Sequence, residues 1–323
     1  MHSTLSSVEL CAGGGGQALG IERAGFGNEA LVEIDDWSRA TLKLNRPGWN
    51  VVEGTQADLT RFDGLPYRGV DLVAGGVPCP PFSRAGKQLG PTDERDLFPD
   101  ALRVVDEIRP KAVMLENVRG FLDAVFFDYR QKLKSQFHKL GYTYAEWHLF
   151  NASDFGVSQL RPRVVIVAIQ SAYADRFEWP KGSNLNPMPV GDRLHDLMAA
   201  GGWTGVDAWR TQADEIAPTI VGGSKKHGGP DLGPTRARRA WAALGVNGSS
   251  IADAAPQPDF AGMPRLTVRM VARLQGFPDD WEFAGKKTAA YRQVGNAFPP
   301  PVAQAVAQNL RAAMTARRLY AVA

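Results

Sequence analysis

The chain has 323 residues, 44% of them hydrophobic, with a mean hydropathy of −0.24, which suffices for a sizeable core in one large domain or two unequal ones. A formal net charge of +3 and an isoelectric point near 8.8 permit a nucleic-acid partner without requiring one. Two cysteines, Cys11 and Cys79, exclude a disulfide framework and a cysteine-rich zinc site, so no metal is expected; without a long apolar run or a signal-like start, no membrane partner is expected and the location is cytoplasmic.

From residue 5 to 170, apolar runs alternate with amphipathic ones, the pattern of βαβ units and of an α/β fold. Leu5 to Cys11 reads as a strand, Gln17 to Ala24 as a helix stopped by Gly25, and Ala30 to Ile34 as a second strand. Asp71 to Val77 is the next strand. Leu97, Ala101, Val105 and Ile108 recur at helical spacing, and Ala112 to Leu115 follows as a buried strand. Phe126, Leu133, Phe137 and Leu140 mark a longer helix ended by Gly141, and Val164 to Ile169 is again strand. From about Lys181, Gly and Pro punctuate the chain and helical periodicity fades until Thr267 to Leu274, as in a smaller, loop-rich second domain. A last helix begins near Pro301 and carries Val302, Val306, Leu310 and Ala313 on one stripe, suited to packing back on the first domain.

The first strand runs into Ala12-Gly13-Gly14-Gly15-Gly16-Gln17-Ala18, where backbone can approach a ligand closely, and Glu33 lies 20 residues after Gly13. By itself this suits a nicotinamide or flavin dinucleotide as well as S-adenosylmethionine, or a tight turn with no ligand. Cys79 leaves a strand inside Pro78-Cys79-Pro80-Pro81-Phe82-Ser83, where three prolines stiffen the turn that presents it. The thiol is either a small buried hydrophobe or a nucleophile. Glu116 ends a buried strand in Met114-Leu115-Glu116-Asn117-Val118 and must be ion-paired, neutral or catalytic there. Arg161 and Arg163, spaced by Pro162, fall on one side of an extended segment and are either solvated or aimed at a ligand. Between Thr219 and Trp241 stand Lys225, Lys226, Arg236, Arg238 and Arg239 with a single acid, Asp231, beside Gly222 and Gly223, a run suited to phosphates.

The hexapeptide around Cys79 resembles the nucleophile motif of the DNA cytosine carbon-5 methyltransferases: Pro-Cys, then Gln or Pro, then Pro-Phe-Ser. Glu116-Asn117-Val118 is similar to that family's acid motif, and Gln159-Leu160-Arg161-Pro162-Arg163 to its Gln-x-Arg-x-Arg. Pro218 to Gly223 is similar to the motif opening its target-recognition core, Arg265 to Pro278 to a structural motif ahead of its last helix, and Tyr291 to Pro299 to its Gly-Asn motif. These segments stand in the family's order and leave about 181–264 unmatched in detail. Where the family usually has Phe, this chain has Cys11; where many relatives carry Gln, it has Pro80.

The resemblance implies a Rossmann-like S-adenosylmethionine-dependent methyltransferase fold, with a mostly parallel sheet, helices on both faces and a smaller target-recognition domain. The catalytic domain would be 1–180 and 288–323, and recognition domain and hinge 181–287. It implies methyl transfer to carbon-5 of a cytosine flipped out of double-stranded DNA, yielding S-adenosylhomocysteine, by a monomer in the bacterial cytoplasm at the nucleoid, with a possible cognate restriction endonuclease. Cys79 would add to carbon-6 and so make carbon-5 nucleophilic; Glu116 would bond ring nitrogen-3; Arg161 and Arg163 would orient the acid and contact the base. Glu33 would hold the cofactor ribose and Asp58 the adenine, with Cys11, Ala12, Gly13, Gly15, Ile34, Leu59, Pro78, Leu97 and Asn296 completing the pocket. Ser83, Arg84, Lys87 and Gln88 would meet DNA from a loop closing over the base, and Thr219, Gly222, Gly223, Lys225, Lys226, Arg236, Arg238 and Arg239 from the second domain. An RNA cytosine methyltransferase, a silent DNA-binding regulator and a dinucleotide oxidoreductase are the competing readings.

Overall fold

In a computed structural model, residues 5–78, 96–183, 185–223 and 229–316 are described. Strands β1 (Leu5–Leu10), β2 (Phe26–Val32), β3 (Leu72–Gly75), β4 (Ala112–Val118), β5 (Tyr142–Asn151) and β6 (Pro162–Gln170) form one sheet in the order β2-β1-β3-β4-β6-β5. Helices α1 (Gly16–Arg23), α2 (Asp36–Asn45), α3 (Phe98–Ile108), α4 (Phe127–Lys139) and α5 (Ser171–Ala174) intervene. After them come α6 (Val190–Ala199), α7 (Val206–Gln212), α8 (Thr235–Ala243), α9 (Val268–Leu274), α10 (Lys287–Asn296) and α11 (Pro300–Thr315).

β2, β1, β3 and β4 are parallel, whereas β6 runs antiparallel to both β4 and β5. The reversal follows from chain economy: β5 and β6 are joined without a crossover helix, so they must run in opposite senses. β5 is absent from the sequence-based strands. It is an edge strand with mixed burial, so its pattern neither alternates cleanly nor runs apolar.

Strand residues of alternating parity feed two faces. Val8, Leu10, Val73, Val113 and Leu115 pack with α3 and α4 through Phe98, Val105, Leu133 and Phe137. Leu72, Ala74, Met114 and Val165 face α1 and α11 through Ile21, Val302, Val306 and Leu310. Each fully buried Val or Leu contributes roughly 1.5–3 kcal/mol, so the stripe on α11 holds that helix to the sheet. Close approach is possible because a Cβ on Gly20 would lie 2.5 Å from Ala303 Cβ.

Beyond residue 189 the chain builds a second, helical lobe. Its core gathers Trp203, Trp209 and Trp241 with Leu194, Met270, Tyr291 and Val294. The expected loop-rich texture conceals α6, α7 and α8, which are only 7–10 residues long, too short for periodicity to accumulate. α10, expected within the first domain from residue 288, packs its Tyr291 and Val294 into this second core.

The chain direction switches between β1 and β3: β2 lies on one side of β1, while β3 and β4 lie on the other. Open sheets of this kind bind ligands outside the carboxyl ends of the strands at that crevice.

Candidate active site

A cavity of about 270 Å³ lies at that crevice. Its walls come from the glycine turn after β1, the ends of β2 and β4, Gly76 and Pro78 after β3, and α10 with Ala297 and Phe298. The sheet lobe and the helical lobe therefore meet at the site.

Cys11, Gly13 and Gly15 all have positive φ, at 55°, 55° and 86°, and so fold the chain back before α1. The Gly13 N–H donates to Glu33 Oε2 and the Asp35 N–H to Glu33 Oε1, each at 2.7 Å. Glu33 is thus fixed in orientation, and burial raises its carboxyl above the ordinary range against those two hydrogen bonds. No Cβ contact would arise within 4 Å at Gly13, so the backbone there faces open space. Burial, reinforced by the carboxylates of Glu33, Glu9 and Asp58, keeps the Cys11 thiol protonated.

Glu116 accepts an ion pair from Arg163, Nε to Oε1, at 2.7 Å, and both side chains are only 12% exposed. Register explains the pairing: Arg163 sits opposite Val118, so it and Glu116 project from the same face of β6 and β4. Burial raises the Glu116 carboxyl, opposed by the charges of Arg163 and Arg161. Gly76 keeps the space beside it open, since a Cβ there would approach Glu116 Oε2 to 3.5 Å.

Arg161 goes elsewhere. Fully buried, it donates to the carbonyls of Ile220 at 2.6 Å, Gly295 at 2.7 Å and Ala297 at 3.0 Å. It therefore ties the start of β6 to the helical lobe beneath the cavity. Gly222 is buried too: a Cβ there would lie 2.5 Å from Asn296 Oδ1, and one on Gly295 would lie 2.4 Å from Gly222 Cα. The close crossing of these two backbones accounts for both glycines, and Gly222 offers no surface to DNA. Asn296, on the cavity wall, donates to the Gly223 carbonyl at 3.2 Å. Half-buried Thr219 donates to the Leu160 carbonyl at 2.6 Å.

Of the expected cofactor residues, Cys11, Ala12, Gly13, Glu33, Pro78 and Asn296 line the cavity. Gly15, Ile34, Asp58, Leu59 and Leu97 do not. Gly15 is pressed against Trp281 and Leu42, Leu59 is buried in the sheet core, Leu97 packs on that core, and Ile34 is 66% exposed. Asp58 accepts from the backbone and hydroxyl of Thr60. Arg236, Arg238 and Arg239 lie on α8. Cys79, Pro80, Ser83, Arg84, Lys87, Gln88, Lys225 and Lys226 lie outside the described residues.

Sequence reasoning missed three contributors. Trp281 donates from Nε1 to the Gly14 carbonyl at 3.1 Å and braces the glycine turn. Gln293 accepts from Thr41 Oγ1 at 2.6 Å and donates to the Ala284 carbonyl at 2.9 Å, clamping α10 to α2. Glu9, on β1, turns a carboxyl into the cavity.

The family model for C-5 cytosine-specific DNA methylases matches residues 5–312. The chain belongs to that family. Its activity is accordingly that of a DNA (cytosine-5)-methyltransferase. The methylase is 55% identical over 314 residues to the type II methyltransferase M.NaeI of Lentzea aerocolonigenes, covering 96% of this chain and 76% of that one. It is 54% identical over 308 residues to M.NgoMIV of Neisseria gonorrhoeae, covering 94% and 96%. Its fold matches a candidate DNA modification methyltransferase encoded within an Escherichia coli prophage, with TM-score 0.68 at 22% identity, covering 97% of this chain and all of that one.

Proposed function

We propose that the cavity binds S-adenosylmethionine, that the target is a cytosine turned out of double-stranded DNA, and that Cys79 is the attacking thiolate. The observation that carries this reading is the Glu116–Arg163 pair on the wall of an acceptor-rich cavity. Glu9, Glu33, Asp35 and Glu116 all line that cavity. That wall is rich in acceptors for ribose hydroxyls and for a sulfonium cation.

Bound there, S-adenosylmethionine supplies an electrophilic methyl group. Glu33 keeps lone pairs for ribose hydroxyls beyond those used by Gly13 and Asp35, and the amino end of α1, whose Gly16 lines the cavity, would suit the cofactor carboxylate. Glu116, whose carboxyl burial raises above its ordinary range, would present a proton to cytosine nitrogen-3 and disperse the negative charge that thiolate addition at carbon-6 creates. Arg163 fixes the acid through Oε1. The segment 181–287 reads the duplex, with Arg236, Arg238 and Arg239 of α8 toward phosphates. Arg161 acts through position: it supports the Gly-Asn segment rather than touching the base. The names of the two relatives, both type II methyltransferases, support a type II role; the proposal adds a monomeric methylase that acts at the bacterial nucleoid beside a cognate endonuclease.

Labelled methyl transfer to plasmid DNA and to tRNA tests the reading. Wild type should label the plasmid alone, and Cys79→Ser should label neither. Retained transfer by that variant at the wild-type rate would overturn the covalent mechanism, and preferential labelling of tRNA would overturn the substrate.

A further inference from the structure

α10 serves two neighbours at once. Its Arg292, Gln293 and Asn296 line the cavity, while Tyr291, fully buried, turns into the core of the helical lobe. There the Tyr291 hydroxyl lies 2.6 Å from the Asp231 carbonyl and 3.1 Å from the Val221 carbonyl, and shares its single hydrogen between them. Burial, and then the Asp231 charge, holds the phenol above its ordinary range, so the hydroxyl keeps that hydrogen. One side chain thus clasps two separate points of the recognition segment.

The two points depend on the clasp unequally. Near Val221 the chain has other fixings: Arg161 takes the Ile220 carbonyl, and Gly222 is pressed against Asn296 and Gly295. From 229 to 243, the Tyr291 bond is the single hydrogen bond to α10 among the described residues. Asp231 leads through Gly233 and Pro234 into α8, where Arg236, Arg238 and Arg239 are exposed. Buried Trp241 anchors the far end of that helix, but the amino end has no side-chain cap. That end lies close to Val221, since a Cβ on Gly233 would fall 3.2 Å from Ala237 Cβ and 3.6 Å from Val221 Cγ2. Resting on the reading above that these arginines meet DNA phosphates, we propose that Tyr291 is a positioning residue for DNA binding, its hydroxyl fixing the amino end of α8 to the helix that walls the active site.

An arginine on a phosphate is a directional contact, so its strength depends on where the helix holds it. Without the hydroxyl, the amino end of α8 is free to shift and carries Arg236 and Arg239 off their phosphates. Glu116, Arg163 and the cavity wall stay in place, because none of them hangs on the Asp231 carbonyl. The loss is therefore felt in DNA affinity and its salt dependence, and not in the chemical step.

The test uses the full chain and a fluorescent duplex carrying a site that wild type methylates. Tyr291→Phe should bind it about fivefold to twentyfold more weakly, with kcat at saturating DNA and the Kd of S-adenosylmethionine within about twofold of wild type. Arg236→Ala with Arg239→Ala should weaken binding and flatten the slope of log affinity against log salt by about 2. Added to that pair, Tyr291→Phe should cost less than about twofold more, because it acts through the arginines. Unchanged DNA affinity in Tyr291→Phe, equal losses for DNA and cofactor, or full multiplication of the two DNA losses would overturn the positioning role while leaving the DNA reading of α8 intact. No loss and no change of slope in the arginine pair would overturn both. Should Tyr291→Phe fail to fold, Gly233→Ala, which crowds the same end of α8 and spares the hydroxyl, should lose DNA affinity alone, and wild-type DNA affinity there would overturn the role.

Discussion

The two lobes place their side chains at the site by different means. The sheet lobe supplies chemistry from strand ends: Glu33 after β2 and Glu116 on β4 reach the crevice because those parallel strands end there together, and Arg163 joins them from the start of the antiparallel β6. The helical lobe supplies bracing from residues far apart in sequence, with Trp281, Gln293 and Asn296 holding the glycine turn, α2 and the 223 segment. In such an arrangement a change in the sheet lobe strikes the reaction, and a change in the helical lobe strikes the cavity's shape.

Glu116→Gln probes the sheet side and should have the largest effect, lowering kcat by about 10²–10⁴-fold with little change in cofactor affinity. Burial extends the range over which Glu116 stays protonated, so its contribution is complete at low pH and is lost as pH rises through the raised value. The variant should lack that limb of the pH–rate profile.

Arg161→Met crosses from one lobe to the other. It takes this donor from the carbonyls of Ile220 and Gly295 and leaves Ala297 with Gln275 Nε2 alone, and denaturant unfolding should register a loss of ~3 kcal/mol. Were stability unchanged while transfer collapsed, Arg161 would belong with the reacting groups instead. Gly222→Ala, on the helical side, forces a methyl against Asn296 and the α10 backbone, and should cost about 1–3 kcal/mol together with cofactor affinity. Trp281→Phe removes one hydrogen bond to the Gly14 carbonyl and should have the smallest effect, about 1 kcal/mol in thermal unfolding and a few-fold in cofactor Kd.

The same contrast governs what the sequence discloses. β1, β3, β4 and β6 announce themselves because they are buried on both faces and rich in Val, Leu, Ile and Ala. β5 does not, being an edge strand in which Tyr, Trp and His alternate poorly with Glu and Thr. Glu33 and Glu116 are legible because each ends an apolar run. Glu9 is not: one acid between Val8 and Leu10 reads as the solvent side of a strand, and only the covering of that face by α1 buries it. Trp281 gives no local sign at all, because its hydrogen bond to Gly14 spans 267 residues.

The crossing of Gly222 over Gly295 bears on how such enzymes can change their target sequence. A recognition segment transplanted from a relative joins its host wherever the two backbones touch, and here they touch with no side chain between them. Exchange is therefore tolerated only when both sides of the junction travel as glycine, whatever the graft reads on DNA. Chimeras that take Gly222 and Gly295 from the same parent keep that junction, and those cut between the two inherit a mismatched crossing.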